Sequence, residues 1–232
     1  MSIADNIKSL KKETGPGVTL LAVSKTKPAA DLQEAYDAGQ RLFGENTVQE
    51  MVEKYEQLPK DIEWHLIGHL QTNKVKYIAP FVSMIQSVDS LKLLHEINKH
   101  AEKAGRIIDC LLQIYIADEE TKYGLGFDEA IGLLRSDEFV TFNNVRIRGL
   151  MGIATNTDNE KQIKEEYYEL KTFFDGIKQS YFRKIDTFDT LSMGMSSDYK
   201  LAIEQGSNMV RVGSTIFGKR LAPRPPKGGA PA

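Results

Sequence analysis

Eight short apolar runs, each followed by a segment with apolar residues at helical spacing, constrain this chain more than any other feature. The runs are residues 18–25, 41–46, 63–68, 83–88, 107–116, 145–151, 190–193 and 209–212. Helix-like stripes separate them. Leu32, Ala35 and Tyr36 form the first, and Val48, Met51, Val52 and Tyr55 the second. A short patch at Val75 and Ile78 follows, then Leu91, Leu94, Ile97 and Ala101. Phe127, Ile131 and Leu134, the long register from Ile163 to Ile177, and Leu201 with Ala202 complete the series. Thr47 and Glu50 have the spacing of a capping box. The run at 107–116 is apolar for most of its length, as a strand covered on both faces is. Such alternation makes a parallel sheet with helical crossovers. Eight regular units over roughly 220 residues predict an α/β fold, a closed (β/α)8 TIM barrel, in preference to an open doubly wound sheet. Ile3, Ile7 and Leu10 predict an extra helix ahead of the first strand, stopped by Gly15-Pro16-Gly17. The barrel is expected over residues 1–220, with the Pro/Gly/Ala-rich residues 221–232 a disordered tail.

Charge and composition exclude several classes of partner. Lys and Arg total 30 against 32 Asp and Glu, a net charge of −2, which argues against nucleic acid or an anionic membrane. No apolar run approaches the ~20 residues that a membrane span needs. The single cysteine, Cys110, lies inside an apolar run and is expected to be an inert buried thiol. The first residues show no basic segment followed by an apolar one, so no secretory signal is expected, and the cytoplasm is the expected compartment.

In a barrel of this kind the chemistry sits at the C-terminal ends of the strands. The first run ends in Lys25, on the same alternation as Leu21 and Val23. An amine held against a core is a nucleophile able to form a Schiff base. The second run ends in Gly44-Glu45-Asn46, and the third carries His65. The seventh leads into Met195-Ser196-Ser197-Asp198 and the eighth into Gly213-Ser214-Thr215. Barrels frequently bind phosphate with these last two loops. Helix capping by Ser196 and Asp198 is the plainer use of the first. Arg211 alternates with Val210 and Val212 and is expected to point into the barrel, where its guanidinium needs an acceptor, either an internal carboxylate or a ligand atom. A Schiff-base lysine, a phosphate cradle and an interior donor match the parts that hold pyridoxal 5′-phosphate (PLP). Lys25 would take the aldehyde, Ser196, Gly213 and Ser214 the phosphate, and Arg211 the pyridine nitrogen, with Asn46 and Met195 lining the site. An arginine there keeps the ring nitrogen unprotonated and the ring a weak electron sink, which disfavours transamination.

The chain resembles the pyridoxal phosphate homeostasis proteins, related in fold to the N-terminal barrel of alanine racemase. The resemblance is carried by Ala22-Val23-Ser24-Lys25-Thr26, Phe43-Gly44-Glu45-Asn46, His65-Leu66-Ile67-Gly68, Ser192-Met193-Gly194-Met195-Ser196 and Ile216-Phe217-Gly218. It spans nearly the whole chain. It departs only at the end, where Leu221 and a Pro-rich stretch stand in place of the aromatic residue frequent in relatives. The resemblance implies Lys25 as the PLP lysine, a monomer or weak dimer, and a role in PLP supply and amino-acid balance without robust catalysis. PLP-dependent apo-enzymes are the further partners implied. Alanine racemase adds a second, β-rich domain that brings a tyrosine acid/base, and no counterpart of it is expected after the eighth run.

The alternative is a small racemase or lyase, with His65 the nearest candidate acid. A Schiff-base aldolase acting on a sugar phosphate would use the same lysine and cradle without a cofactor. Gly213 to Arg220 has P-loop spacing but Arg220 stands where a Mg²⁺-binding hydroxyl belongs. His65 and His69 are four apart, but Gly68 and the strand context break the geometry of a helical zinc pair.

Overall fold

In a computed structural model of the chain, which describes residues 2–118 and 123–218, each of the eight apolar runs is a strand. They are β1 (Thr19–Val23), β2 (Leu42–Glu45), β3 (Glu63–Leu66), β4 (Met84–Val88), β5 (Ile108–Ile114), β6 (Val145–Gly152), β7 (Thr190–Met195) and β8 (Met209–Val212). All pair in parallel with their sequence neighbours, and β1 pairs with β8, so the sheet closes into a barrel. The (β/α)8 expectation therefore holds. Arg220 and residues 221–232 lie outside the described residues.

The helices are α1 (Ile3–Thr14), α2 (Ala29–Asp37), α3 (Val48–Gln57), α4 (Val75–Ile78), α5 (Leu91–Lys103), α6 (Phe127–Arg135), α7 (Asp137–Val140), α8 (Glu160–Tyr181), α9 (Tyr199–Glu204) and α10 (Ser214–Phe217). The extra helix α1 opens with a capping box in which Ser2 Oγ accepts from Asp5 N at 3.1 Å, and it lies against α2 and α10. The long stripes read from the sequence are buried faces, whereas in α6 Phe127 is exposed and Ala130, Leu133 and Leu134 are the residues buried. Leu94, Ile97 and Ala101 of α5, and Ile163, Tyr167, Leu170, Phe174 and Ile177 of α8, all face the barrel wall. Each large apolar side chain so buried contributes about 1.5–3 kcal/mol. This layer between helices and sheet is the main core.

The barrel interior is of a different character. Met84, Leu111 and Met151 form a small apolar cluster there. Beside it a chain of polar side chains crosses from strand to strand. Arg211 Nη1 donates to Ser192 Oγ at 2.7 Å, and Ser192 Oγ donates to Gln86 Oε1 at 2.7 Å. Gln86 Nε2 lies 2.9 Å from His65 Nδ1. An amide NH₂ only donates, so His65 Nδ1 accepts and the ring is the neutral Nε2–H tautomer. Buried polar groups are tolerable when they satisfy each other in this way. Cys110 is buried and free, and burial pushes its thiol up. No described helix is long and apolar enough to cross a membrane.

Candidate functional site at the barrel mouth

A cavity of about 390 Å³ opens at the C-terminal ends of β1, β2, β7 and β8. Lys25, Asn46, Met195, Ser196, Arg211, Gly213 and Ser214 all line it. Residues from four strand ends, distant in sequence, are thus brought to one place. Barrel closure does this, because β1 and β8 are neighbours only when the sheet has closed.

Lys25 reaches the cavity by a route the alternation argument misses. Strand β1 ends at Val23, two residues before it. Lys25 instead sits in a turn closed by Lys27 N donating to Ser24 O at 3.0 Å. Thr26, third residue of that turn, has φ of +65°, the left-handed region. A positive φ at this position is the signature of a type II turn and normally calls for glycine or asparagine. Lys27 also lines the cavity, with its ammonium donating to Phe217 O at 2.7 Å.

Arg211 is buried at 4% exposure and points inward as expected, but its partners are not a carboxylate. Nη1 donates to Ser192 O at 2.8 Å and to its hydroxyl, and Nη2 donates to Gly152 O at 2.8 Å. These three bonds fix the guanidinium plane. Of its five N–H donors, the Nε–H and one on Nη2 have no partner among the described residues. Burial lowers its pKa below the usual value, with Tyr167 and Asp198 opposing.

The two loops meet through Gly213 N, which donates to Ser196 Oγ at 3.1 Å. A Cβ added at Gly213 would stand 2.9 Å from Val23 O, so glycine is what lets this loop close on β1. The β7 loop is anchored from beneath. Asp198 takes Met195 N at 2.5 Å on one oxygen and the buried Tyr167 hydroxyl at 3.1 Å on the other. Asn46 Oδ1 is buried at the cavity without a partner among the described residues.

His65 is corrected as a candidate acid. It lies 3% exposed in the barrel interior, lines the cavity at the opposite end, and is absent from the mouth. Burial pushes its pKa down to about 4. His69 pairs with Asp89 at 3.0 Å and stacks on Tyr123. Among the described residues no cluster could hold a metal ion.

Sequence reasoning missed what lies behind Lys25. Lys54 of α3 is 5% exposed, and its three ammonium protons go to Ser24 O at 2.7 Å, Glu45 Oε1 at 2.8 Å and Glu50 Oε1 at 2.6 Å. Glu45 is fully buried, also accepts from Ser24 Oγ at 2.6 Å, and has no partner for Oε2 among the described residues. Burial pushes the Glu45 carboxyl up to about 7, while Lys54 and Ser24 pull the other way. Glu50 explains a second departure. Thr47 Oγ1 accepts from Glu50 N, but the reciprocal half of the capping box is not made. The Glu50 carboxylate turns instead to Lys54 and to Thr26 N at 2.5 Å. The signal available in the sequence was Lys54 itself, a charge beside the α3 stripe and four residues after Glu50.

Fold and mouth together define a barrel of the class found at the N-terminus of alanine racemase. The model of that domain, described as alanine racemase, N-terminal domain, matches residues 1–221. The pyridoxal phosphate homeostasis protein of Pasteurella multocida is 39% identical over 212 residues, covering 90% of this chain and 89% of the relative. That of Escherichia coli K12 is 39% identical over 207 residues, covering 88% and 86%. The chain belongs to the pyridoxal phosphate homeostasis protein family. PipY of Synechococcus elongatus PCC7942 is similar in structure both without PLP, at a TM-score of 0.87, and with PLP bound, at 0.85. Both PipY structures are 36% identical and cover 94% of this chain and all of PipY. Alanine racemase of Clostridium difficile superposes with a TM-score of 0.73 at 13% identity, a likeness of fold alone.

Proposed function

We propose that this chain binds PLP at the barrel mouth and acts as a carrier or buffer of the cofactor. The observation that carries the reading is the convergence of Lys25, Arg211 and the Ser196–Gly213 loop pair on one cavity. The residues fit the group. Lys25 supplies an amine, the open Arg211 Nε–H suits an unprotonated ring nitrogen, and a cradle that a Cβ at Gly213 would crowd suits a phosphate. Asn46 Oδ1, buried without a partner among the described residues, is a polar atom that a ligand group would satisfy.

Bound PLP supplies an aldehyde for which amines compete. Lys25 Nζ would add to that carbon and displace one water, holding the cofactor covalently and reversibly. Arg211, fixed by Ser192 and Gly152, would present a donor to the ring nitrogen without protonating it. Ser196, Ser214 and the Gly213 backbone would take the phosphate, with Met195 and Asn46 closing the sides. The relatives named for PLP homeostasis and the PLP-bound PipY support this reading.

Among the described residues lining the cavity, the ionisable side chains are Lys25, Lys27 and Arg211. Racemisation needs a proton donor on each face of the substrate, so a carrier fits better than an enzyme. The proposal extends to a cytoplasmic monomer or weak dimer that hands PLP to apo-enzymes. The visible absorbance of the PLP-loaded protein tests it, along with α-proton exchange of alanine in deuterated solvent. The expected results are a band lost in Lys25→Ala and exchange no faster than with free PLP. A colourless protein unable to take up PLP would favour an aldolase, and rapid exchange would sink the pure carrier.

A further inference from the structure

We infer that the Lys54–Glu45–Glu50 cluster, with Lys54 and Glu45 buried and Glu50 at its edge, is a clamp that holds the Lys25 turn in a strained conformation and so presets the lysine toward the cavity. The inference rests on the reading of Lys25 as the PLP lysine. It concerns residues that do not line the cavity themselves.

The turn is gripped on both sides of Lys25. On the N-terminal side, Ser24 O accepts from Lys54 and Ser24 Oγ donates to Glu45. On the C-terminal side, Thr26 N donates to Glu50. Lys54 bonds Glu45 and Glu50 together, so both grips belong to one unit. Thr26 is the single described non-glycine residue with positive φ. For a β-branched residue that is a real outlier, and such strain persists only where the surroundings over-determine it. Thr26 itself is exposed, so burial gives no reason to choose threonine over glycine there. Nor is the cluster an obvious source of stability, because burying an ion pair costs about as much as the pairing returns. Glu50 also forgoes its own helix cap to hold Thr26 N. Strain in the turn and a buried charge cluster both become intelligible if their product is the direction of Lys25.

Glu50, with a side chain 24% exposed, is the safest member to remove. The test compares full-length wild type, Glu50→Ala, Glu50→Gln and the double variant Glu50→Ala/Thr26→Gly. Each is titrated with PLP, reading the half-saturation of the visible band, and thermal melting is recorded alongside. Glu50→Ala is expected to raise half-saturation roughly tenfold, about 1.4 kcal/mol. Glu50→Gln keeps an oxygen for Thr26 N and is expected to stay near wild type. Adding Thr26→Gly, which makes the positive φ easy, is expected to recover most of the Glu50→Ala loss. A helix-stabilising role alone would lower melting in Glu50→Ala, and Thr26→Gly would not restore it. Unchanged half-saturation in Glu50→Ala, or a loss that Thr26→Gly does not recover, overturns the clamp. Should Glu50→Ala not fold, Thr26→Pro decides, since proline at this exposed position removes the N–H and forbids positive φ. It is expected to lose the band, and a normal titration overturns the inference. A wild type without the band, or a Lys25→Ala variant that keeps it, would instead refute the PLP reading.

Discussion

His65 shows how a single residue's surroundings decide its chemistry. Its pKa is lowered by burial from 6.5 to about 4. Between those values the unfolded chain binds a proton that the folded chain refuses. Stability is therefore whole above pH about 6.5 and falls as pH drops toward 4, by on the order of 3 kcal/mol. Urea titrations of His65→Gln over that range are expected to show a flatter acid limb, and an unchanged slope would mean that another group carries it. Gly213 makes a complementary prediction. Gly213→Ala puts a Cβ near Val23 O, so the loop must move by tenths of an ångström. PLP half-saturation is expected to rise roughly tenfold with melting lowered by only a few degrees, the ratio that separates a cradle from a structural glycine. At this scale the sequence was legible where alternation operates. Arg211 is inward because β8 is a regular strand. Lys25 reaches the cavity for another reason, since β1 stops at Val23 and a turn aims the side chain. The Lys54 cluster was legible only as Lys54 four residues after Glu50, a spacing that reads as an ordinary surface ion pair until the turn it holds is seen.

Elements were recovered in proportion to their periodicity. The stripes of α5 and α8 predict their buried faces, and Leu94→Ala is expected to cost about 2–5 kcal/mol, measured as a lower urea midpoint with the slope unchanged. The short helices α7 and α10 carry too few residues to show a period. The boundary of β1 was overrun by two residues, since Ser24 and Lys25 continue the alternation while their backbone has already turned. The cap of α3 was half right, because Thr47 does cap but Glu50 is drawn away by Thr26 and Lys54.

The whole molecule is explained by closure. Eight parallel strands without a free edge place β1 against β8, and only then do the amine and the phosphate-type loops share a cavity. The proposed carrier must also release its cargo. PLP-loaded protein mixed with a PLP-dependent apo-enzyme is expected to restore its activity while the carrier's visible band declines. A band that persists while the apo-enzyme stays inactive would argue for storage without transfer. The central claim is the covalent hold by Lys25, and borohydride reduction followed by peptide mass mapping tests it most directly. The reduced pyridoxyl group is expected on Lys25 at near-unit stoichiometry. A label on Lys27 or spread over surface lysines, with Lys25 unmodified, would contradict it.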